Sequence, residues 1–371
     1  MTTLANLRRY AVSRSLFPPT TLERAIEALG FVQADPIRAP ARAQDLTLGP
    51  RVRNYRAGDL ERRYAALGIE EDVLINYGFV TRAVQALMHP RAAAPRARST
   101  SGSGPRRSTR AQALLDFVRE RGTVHPREVD AHFAHGTVTN YWGGSSSATT
   151  HLLDALHYKG WLRVARRDGG IRIYAVQTHG LAPAGAAARR ARVDALVDLV
   201  VRKYAPLPAA SLSYVVGRLR YAVPQWREEL RPALVRARQR LSHARAGGAD
   251  WYWPADESPD QQVPQDEVRM LAPFDPVVWD RRRFELLWQW GYRFEAYTPA
   301  SKRKLGYYAL PLLWRDKIIG WANLSVAGGT LDASFGYVGA SRPRERAFAS
   351  ALDAELSRIH AFLGLASDPR P

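Results

Sequence analysis

Between residues 109 and 176 three helix-like stretches are followed by two short strands joined at a tight turn, an order that few folds accommodate. The first stretch, over about 109–121, carries Leu114, Leu115, Phe117 and Val118 at helical spacing and stops at Gly122. The second covers about 126–134. The third is opened by Ser145-Ser146-Ser147 and places Leu152, Leu153 and Leu156 on one face. Two strands, 161–165 and 171–176, flank Arg166-Arg167-Asp168-Gly169-Gly170, where glycine supplies the positive φ of a hairpin turn. Three helices followed by a β-hairpin is the winged-helix arrangement.

The same reading extends along the chain. Residues 1–90 form an N-terminal helical or winged-helix region. Within it Thr20-Thr21-Leu22-Glu23 has capping-box spacing, Leu22, Ile26 and Leu29 form an apolar stripe, and Gly30 stops the helix. Asp59 is expected to cap a short helix through Leu67 that Gly68 closes. Residues 91–108, rich in Arg, Ser and Gly, have the composition of a flexible basic linker. The winged helix occupies 109–182, and 188–250, with a first helix carrying Val193, Leu196 and Val200 and further helices over 209–217 and 226–242, reads as a divergent second copy. A Trp- and Pro-rich connector, 250–266, leads to a C-terminal domain over 265–371. That domain predicts a helix near 278–290, strands at 293–298, 306–314, 318–326 and 331–338, and a final helix over 343–363. The fold class is α+β: tandem winged helices with a mostly antiparallel C-terminal β domain and a terminal helix.

Charge narrows the choice of partner. Fifty-four basic residues against 35 acidic leave a net charge of +19, and the bases are 49 arginines and five lysines. A GC-rich genome biases a chain toward arginine over lysine, but that exchange leaves net charge unchanged, so the surplus still calls for a polyanion, nucleic acid first. Zero cysteines exclude disulfides, thiolate metal sites and cysteine nucleophiles. No apolar run approaches the roughly 18 residues of a membrane span, and the N-terminus lacks a signal-peptide core. A cytoplasmic, nucleoid-associated bacterial monomer is the expectation.

Gln33-Ala34-Asp35 is the strongest candidate for chemistry. Pro36 pushes Asp35 into extended backbone, and in extended backbone residues i and i+2 share a face. The amide offers a donor and an acceptor to a water or a sugar oxygen, while the carboxylate takes a proton. Taken alone, such a triplet more often marks a polar turn at a helix exit.

The run Phe31-Val32-Gln33-Ala34-Asp35-Pro36-Ile37-Arg38-Ala39-Pro40-Ala41-Arg42-Ala43-Gln44 resembles the segment carrying the Gln-x-Asp or Gln-x-Gln motif of crosslink-repair DNA glycosylases of the YcaQ/AlkZ type. Pro273-Phe274-Asp275-Pro276-Val277-Val278-Trp279-Asp280-Arg281 is similar to a second block of that family. Tyr297-Thr298-Pro299-Ala300-Ser301-Lys302-Arg303-Lys304-Leu305-Gly306-Tyr307-Tyr308 is similar to its basic hairpin. Asp35 in the third motif position matches the Gln-x-Asp branch. The chain departs from the family at Asn76-Tyr77-Gly78-Phe79-Val80-Thr81, where a Tyr-Trp-x-His-Glu-like stretch is usual, and its linker is longer.

The resemblance implies monofunctional excision of N7-alkylated purines from double-stranded DNA, including the unhooking of interstrand crosslinks, with no cofactor. N7-alkylation makes the base cationic and a good leaving group. What remains is to stabilise an oxocarbenium-like sugar and deliver water, with Asp35 as general base and Gln33 positioning the water. A lyase route needs an amine, and no lysine precedes Lys159.

Contacts to DNA are expected from Arg38, Arg42, Arg51 and Arg53 near the motif, from Arg166 and Arg167 at the hairpin, and from Lys302, Arg303 and Lys304 at a hairpin tip, with Tyr307 stacking. The histidines lack metal-ligand spacing and no phosphate-loop motif occurs, so no metal site is expected. The alternative is a non-enzymatic winged-helix transcription regulator. Against it, 145–158 holds no Arg or Lys with which a recognition helix would read base edges.

Overall fold

A computed structural model of the chain describes residues 2–92, 110–133, 136–139, 145–180, 185–259, 265–339 and 341–365. The stretch read as a basic linker lies outside these except for Arg91 and Ala92. The architecture is α+β, and every paired strand described in a sheet runs antiparallel to its neighbour.

The second helix delivers the chain to the site. Thr21, not Thr20, caps the Leu22–Leu29 helix by accepting the Arg24 amide, so the expected Thr20–Glu23 box does not form. Leu22, Ile26 and Leu29 are buried along one stripe. Gly30 ends the helix at φ 64°, and a Cβ there would meet Leu199 Cδ1 at 2.5 Å. The Phe31–Gln33 strand follows, paired with Tyr77–Thr81, which pairs in turn with Ile69–Val73. Strand alternation sends Val32 into one hydrophobic core and Phe31 into another. Gln33, at the strand end, is half-buried opposite Gly78. A Cβ on Gly78 would lie 2.3 Å from the Val32 carbonyl oxygen, so the close approach of the two strands requires glycine. Further on, Asp59 opens the Asp59–Arg63 helix rather than capping it; Gly58 holds the cap position.

Arg110–Arg121, Pro126–Phe133 and Ala148–Tyr158 are the three helices, and Leu162–Asp168 with Ile171–Val176 the two strands. Two details differ from expectation. Ser145–Ser147 is a short strand paired with Thr137–Thr139, and Ser147 caps the third helix by accepting the Thr150 amide. The hairpin turn is Gly169-Gly170 alone, at φ 58° and 88°, so Arg166 and Arg167 lie in the strand after a bulge and point to opposite faces.

Gly185–Tyr204, Ala209–Arg218 and Leu230–Arg240 supply the next helical group. Sequence reading missed the hairpin that follows, Ser242–Ala246 with Ala249–Trp253, although Gly247-Gly248 between two extended runs was its signal.

At the C-terminal end Val268–Met270, Leu310–Trp314, Lys317–Ala327 and Thr330–Tyr337 form a sheet in that order. The expected strand at 293–298 does not form, and the next one begins at Leu310 rather than 306. The Glu295 carboxylate accepts the Lys304 and Leu305 backbone N–H groups at 2.8 Å each, folding the basic segment into a turn instead of a hairpin. Helix Arg281–Trp288 precedes this turn, and helix Arg346–Leu363 closes the chain by burying Phe348, Leu352, Ile359 and Phe362. The largest core unites residues from 22–79, 114–174 and 268–362, so segments far apart in sequence are packed as one body. Among the described residues no helix is long and apolar enough to cross a membrane.

Candidate active site

Gln33 is held from behind by two donors. Its side-chain carbonyl oxygen accepts from Trp279 Nε1 at 2.9 Å and from Asn76 Nδ2 at 3.0 Å. Asn76 sits in the turn between the two longer strands of the first sheet, and its own Oδ1 accepts from Arg218. Arg218 also donates to the Ile75 carbonyl through Nη2 at 2.6 Å and Nε at 3.0 Å. The Trp279 ring packs against buried Tyr204, 4.8 Å between centroids, and against Tyr214 at 6.0 Å.

Asp35 lies two residues on, half-buried. One carboxylate oxygen accepts the Ile37 amide at 2.9 Å, a local turn made possible by the extended backbone before Pro36. The Asp35 amide donates to Gln44 Oε1 at 3.2 Å. Among the described residues no cation pairs with this carboxylate. Burial lifts its pKa above the ordinary aspartate range, and the Ile37 hydrogen bond offsets this only in part. Tyr297 and Tyr308 stand within its electrostatic reach: burial first, then the Asp35 charge, pushes both phenols upward. Tyr297 is 73% exposed, and Tyr307, in the same segment, 45%. The three sequence blocks thus converge: the first supplies Gln33 and Asp35, the second Trp279, the third the tyrosines.

One lysine does fold against this segment. Lys203 is buried and donates to the Phe31 and Leu29 carbonyls, with its ammonium pushed down to about 7 by burial and by Arg51. It is buried with two of its hydrogens held by backbone oxygens, so it offers no exposed amine beside Asp35.

The residues expected to meet DNA divide sharply. Arg51 is a correction. It is fully buried and chelates Asp275, Nη1 to Oδ2 at 2.8 Å and Nη2 to Oδ1 at 3.1 Å, while also donating to the Ser15 and Thr47 carbonyls. No phosphate can reach it. Arg167 is turned inward onto buried Glu71, with Nε and Nη2 each 2.6 Å from its oxygens. Burial alone would raise Glu71, but Arg167 holds it low. Arg166 faces outward beside Asp168. Arg42 pairs with Glu61, and burial together with the nearby charges of Arg38 and Arg167 lowers its pKa. Arg38, Arg42, Arg62 and Arg167 line a cleft of about 610 Å³ that runs from the loop at 38–42 to the Gly169-Gly170 turn. Arg53 is exposed and donates to the Pro19 carbonyl. Lys302 and Lys304 are exposed in the Glu295-held turn, whereas Arg303 is tied to the Thr298 carbonyl and lies 5.0 Å over the Tyr307 ring. Among the described residues no three metal-binding side chains converge.

Sequence reasoning missed Asn76, Trp279 as a partner of Gln33, and Arg218. They lie 43 and 246 positions from Gln33 and, for Arg218, 142 from Asn76, where no local pattern reaches.

A sequence model of the AlkZ-like DNA glycosylases matches residues 26–362. The fold is similar to the solved structure of Streptomyces sahachiroi DNA glycosylase AlkZ, with a TM-score of 0.63 over 98% of this chain and 97% of that one, at 13% identity. At that identity the likeness speaks for the fold, and the sequence match over most of the chain speaks for descent. The chain belongs to the AlkZ-like family of DNA glycosylases.

Proposed function

We propose that this DNA glycosylase hydrolyses the N-glycosidic bond of N7-alkylated purines in duplex DNA, including those joined in interstrand crosslinks. The observation that carries the reading is a carboxylate left without a cation among the described residues of a strongly basic chain, partly desolvated, and set beside an amide whose orientation is fixed. In the proposed step the N9–C1′ bond breaks, its electron pair neutralises the cationic purine, and an oxocarbenium-like sugar develops. Asp35 stabilises that charge and takes a proton from water as the water oxygen bonds to C1′. Tyr297, within electrostatic reach of Asp35, offers an exposed aromatic face suited to a cationic purine, and Tyr307 in the same segment offers a second to a neighbouring base. Arg38, Arg53, Arg166, Lys302 and Lys304 are the proposed phosphate contacts. The winged-helix reading of the helix-and-hairpin segments serves here as a scaffold that grips phosphate and reads no sequence.

The test is incubation with duplex DNA carrying 7-methylguanine or a defined N7 crosslink, with identification of what is released. Free alkylated base and an abasic product are expected from the wild type, and Asp35→Asn should bind the duplex yet release none. Cleavage of the strand without hydroxide treatment, or no released base at all, would overturn the reading.

A further inference from the structure

The orientation of the Gln33 amide is settled by chemistry rather than by placement of indistinguishable atoms. Oxygen and nitrogen of a side-chain amide are normally assigned from their partners. Here both ends of the chain of hydrogen bonds are groups that can only donate: the Trp279 indole N–H and the Arg218 guanidinium. Arg218 must meet the oxygen of Asn76, so the Asn76 nitrogen faces Gln33. The Asn76 and Trp279 donors together then demand the oxygen of Gln33. Arg218 itself cannot turn away freely, since two of its nitrogens donate to the Ile75 carbonyl.

We infer that Asn76, held by Arg218, and Trp279 are positioning residues that lock Gln33 so that it presents only its NH₂ group to the reacting centre. The inference rests on the function proposed above and assigns Gln33 one of the two roles an amide can play. Its oxygen is used up, and its nitrogen donates to no group of the described chain and is not sealed from solvent. Gln33 therefore holds the oxygen of the attacking water, or a sugar oxygen, by donating to it. The proton must leave toward Asp35, since Gln33 has no free acceptor for it. A locked donor beside a lone acceptor gives the water one productive orientation, with its lone pair free for C1′.

The experiment is a mutant cycle on single-turnover release of 7-methylguanine, read beside duplex affinity and melting temperature. Asn76→Asp keeps an acceptor for Arg218 but removes the donor to Gln33. It should slow release by roughly 10- to 100-fold, the scale on which outer-shell partners of a reacting group act, with affinity unchanged. Gln33→Ala should be slower by at least as much. The deciding measurement is the double variant: Asn76→Asp added to Gln33→Ala should cost nothing further, because Asn76 acts only through Gln33. Trp279→Phe, which keeps the stacked ring and deletes the N–H, repeats the cycle if the Asn76 variant does not fold. Multiplying losses in the double variant, or Asn76→Asp and Trp279→Phe both at wild-type rate, would overturn the inference while leaving glycosylase action intact. A wild type that releases no base overturns the function itself, and the positioning role with it.

Discussion

The acidic side chains of the first sheet are bound by basic ones. Glu70 is chelated by Arg163, Glu71 by Arg167, and Asp72 by Arg91 and His89. Asp35, at the edge of the same sheet, receives only a backbone amide among the described residues. That contrast is the physical difference between a carboxylate that holds a fold and one that can take a proton. Because burial raises the Asp35 pKa, its basic form fades at a higher pH than an ordinary aspartate's. The rate of base release should therefore fall on acidification with a midpoint above the ordinary value of about 3.9, and Asp35→Asn should lose at least about 100-fold at neutral pH, the lower end for a positioned acid–base group, with the difference from wild type narrowing as pH falls below that midpoint. The same shift has a sign for stability. A raised folded-state pKa stabilises the fold below the unfolded value, and that contribution is lost as pH rises through the folded one, so ionised Asp35 is a cost at neutral pH. Asp35→Asn should thus melt no lower than wild type at pH 7 while being inactive. A melting temperature that drops with the substitution would mean the carboxylate is structural. The motif itself was legible in sequence because Pro36 fixes its backbone; the absence of an ion pair was not, because that depends on where every arginine ends up.

Elements explain which arginines those are. Arg51 looks like one more cation in a basic segment, yet it is the link between the loop after Ala43–Leu48 and the Asp275 turn. Its guanidinium makes four hydrogen bonds inside the protein, two of them to an equally buried carboxylate. Removing one partner of such a pair leaves an uncompensated charge, and Arg51→Ala should destabilise by about 3–5 kcal/mol in denaturant titration. A loss below about 1 kcal/mol, with weakened DNA binding instead, would restore Arg51 to the surface role that charge alone suggested. The hairpin arginines follow a rule the sequence did contain: once the turn shrinks to Gly169-Gly170, strand alternation puts Arg167 inside and Arg166 outside. The helices with clear apolar stripes, Arg110–Arg121 and Arg346–Leu363 among them, were legible for the same reason of period. The 293–298 strand was misread because Phe294, Tyr297 and Thr298 are residue types that strands favour, while Glu295 recruits the backbone of Lys304 and Leu305 from nine and ten residues away.

For the molecule as a whole, net charge overstates how much cation is free to meet DNA. Arginines paired to carboxylates or tied to backbone carbonyls, such as Arg51, Arg91, Arg167 and Arg283, contribute to the long-range field but not to contacts with phosphate. Lys302 and Lys304 are different: both are exposed, neither has a carboxylate ion-pair partner among the described residues, and both lie in the turn that also presents Tyr307. Each phosphate contact releases counterions and adds about 0.9 to the slope of log affinity against log salt. Replacing Lys302 and Lys304 with alanine should therefore lower that slope by about 1.8 if each meets one phosphate, weakening undamaged and alkylated duplex alike. Arg303→Ala should change the slope far less, because its guanidinium is committed to Thr298 and the Tyr307 ring, and should instead free that ring to move. A slope change of about 0.9 from Arg303→Ala, as much as from each lysine, would mean that the turn opens on DNA and that Glu295 releases the backbone it now holds. The salt series separates the two because the intact turn exposes two cations and the opened one three.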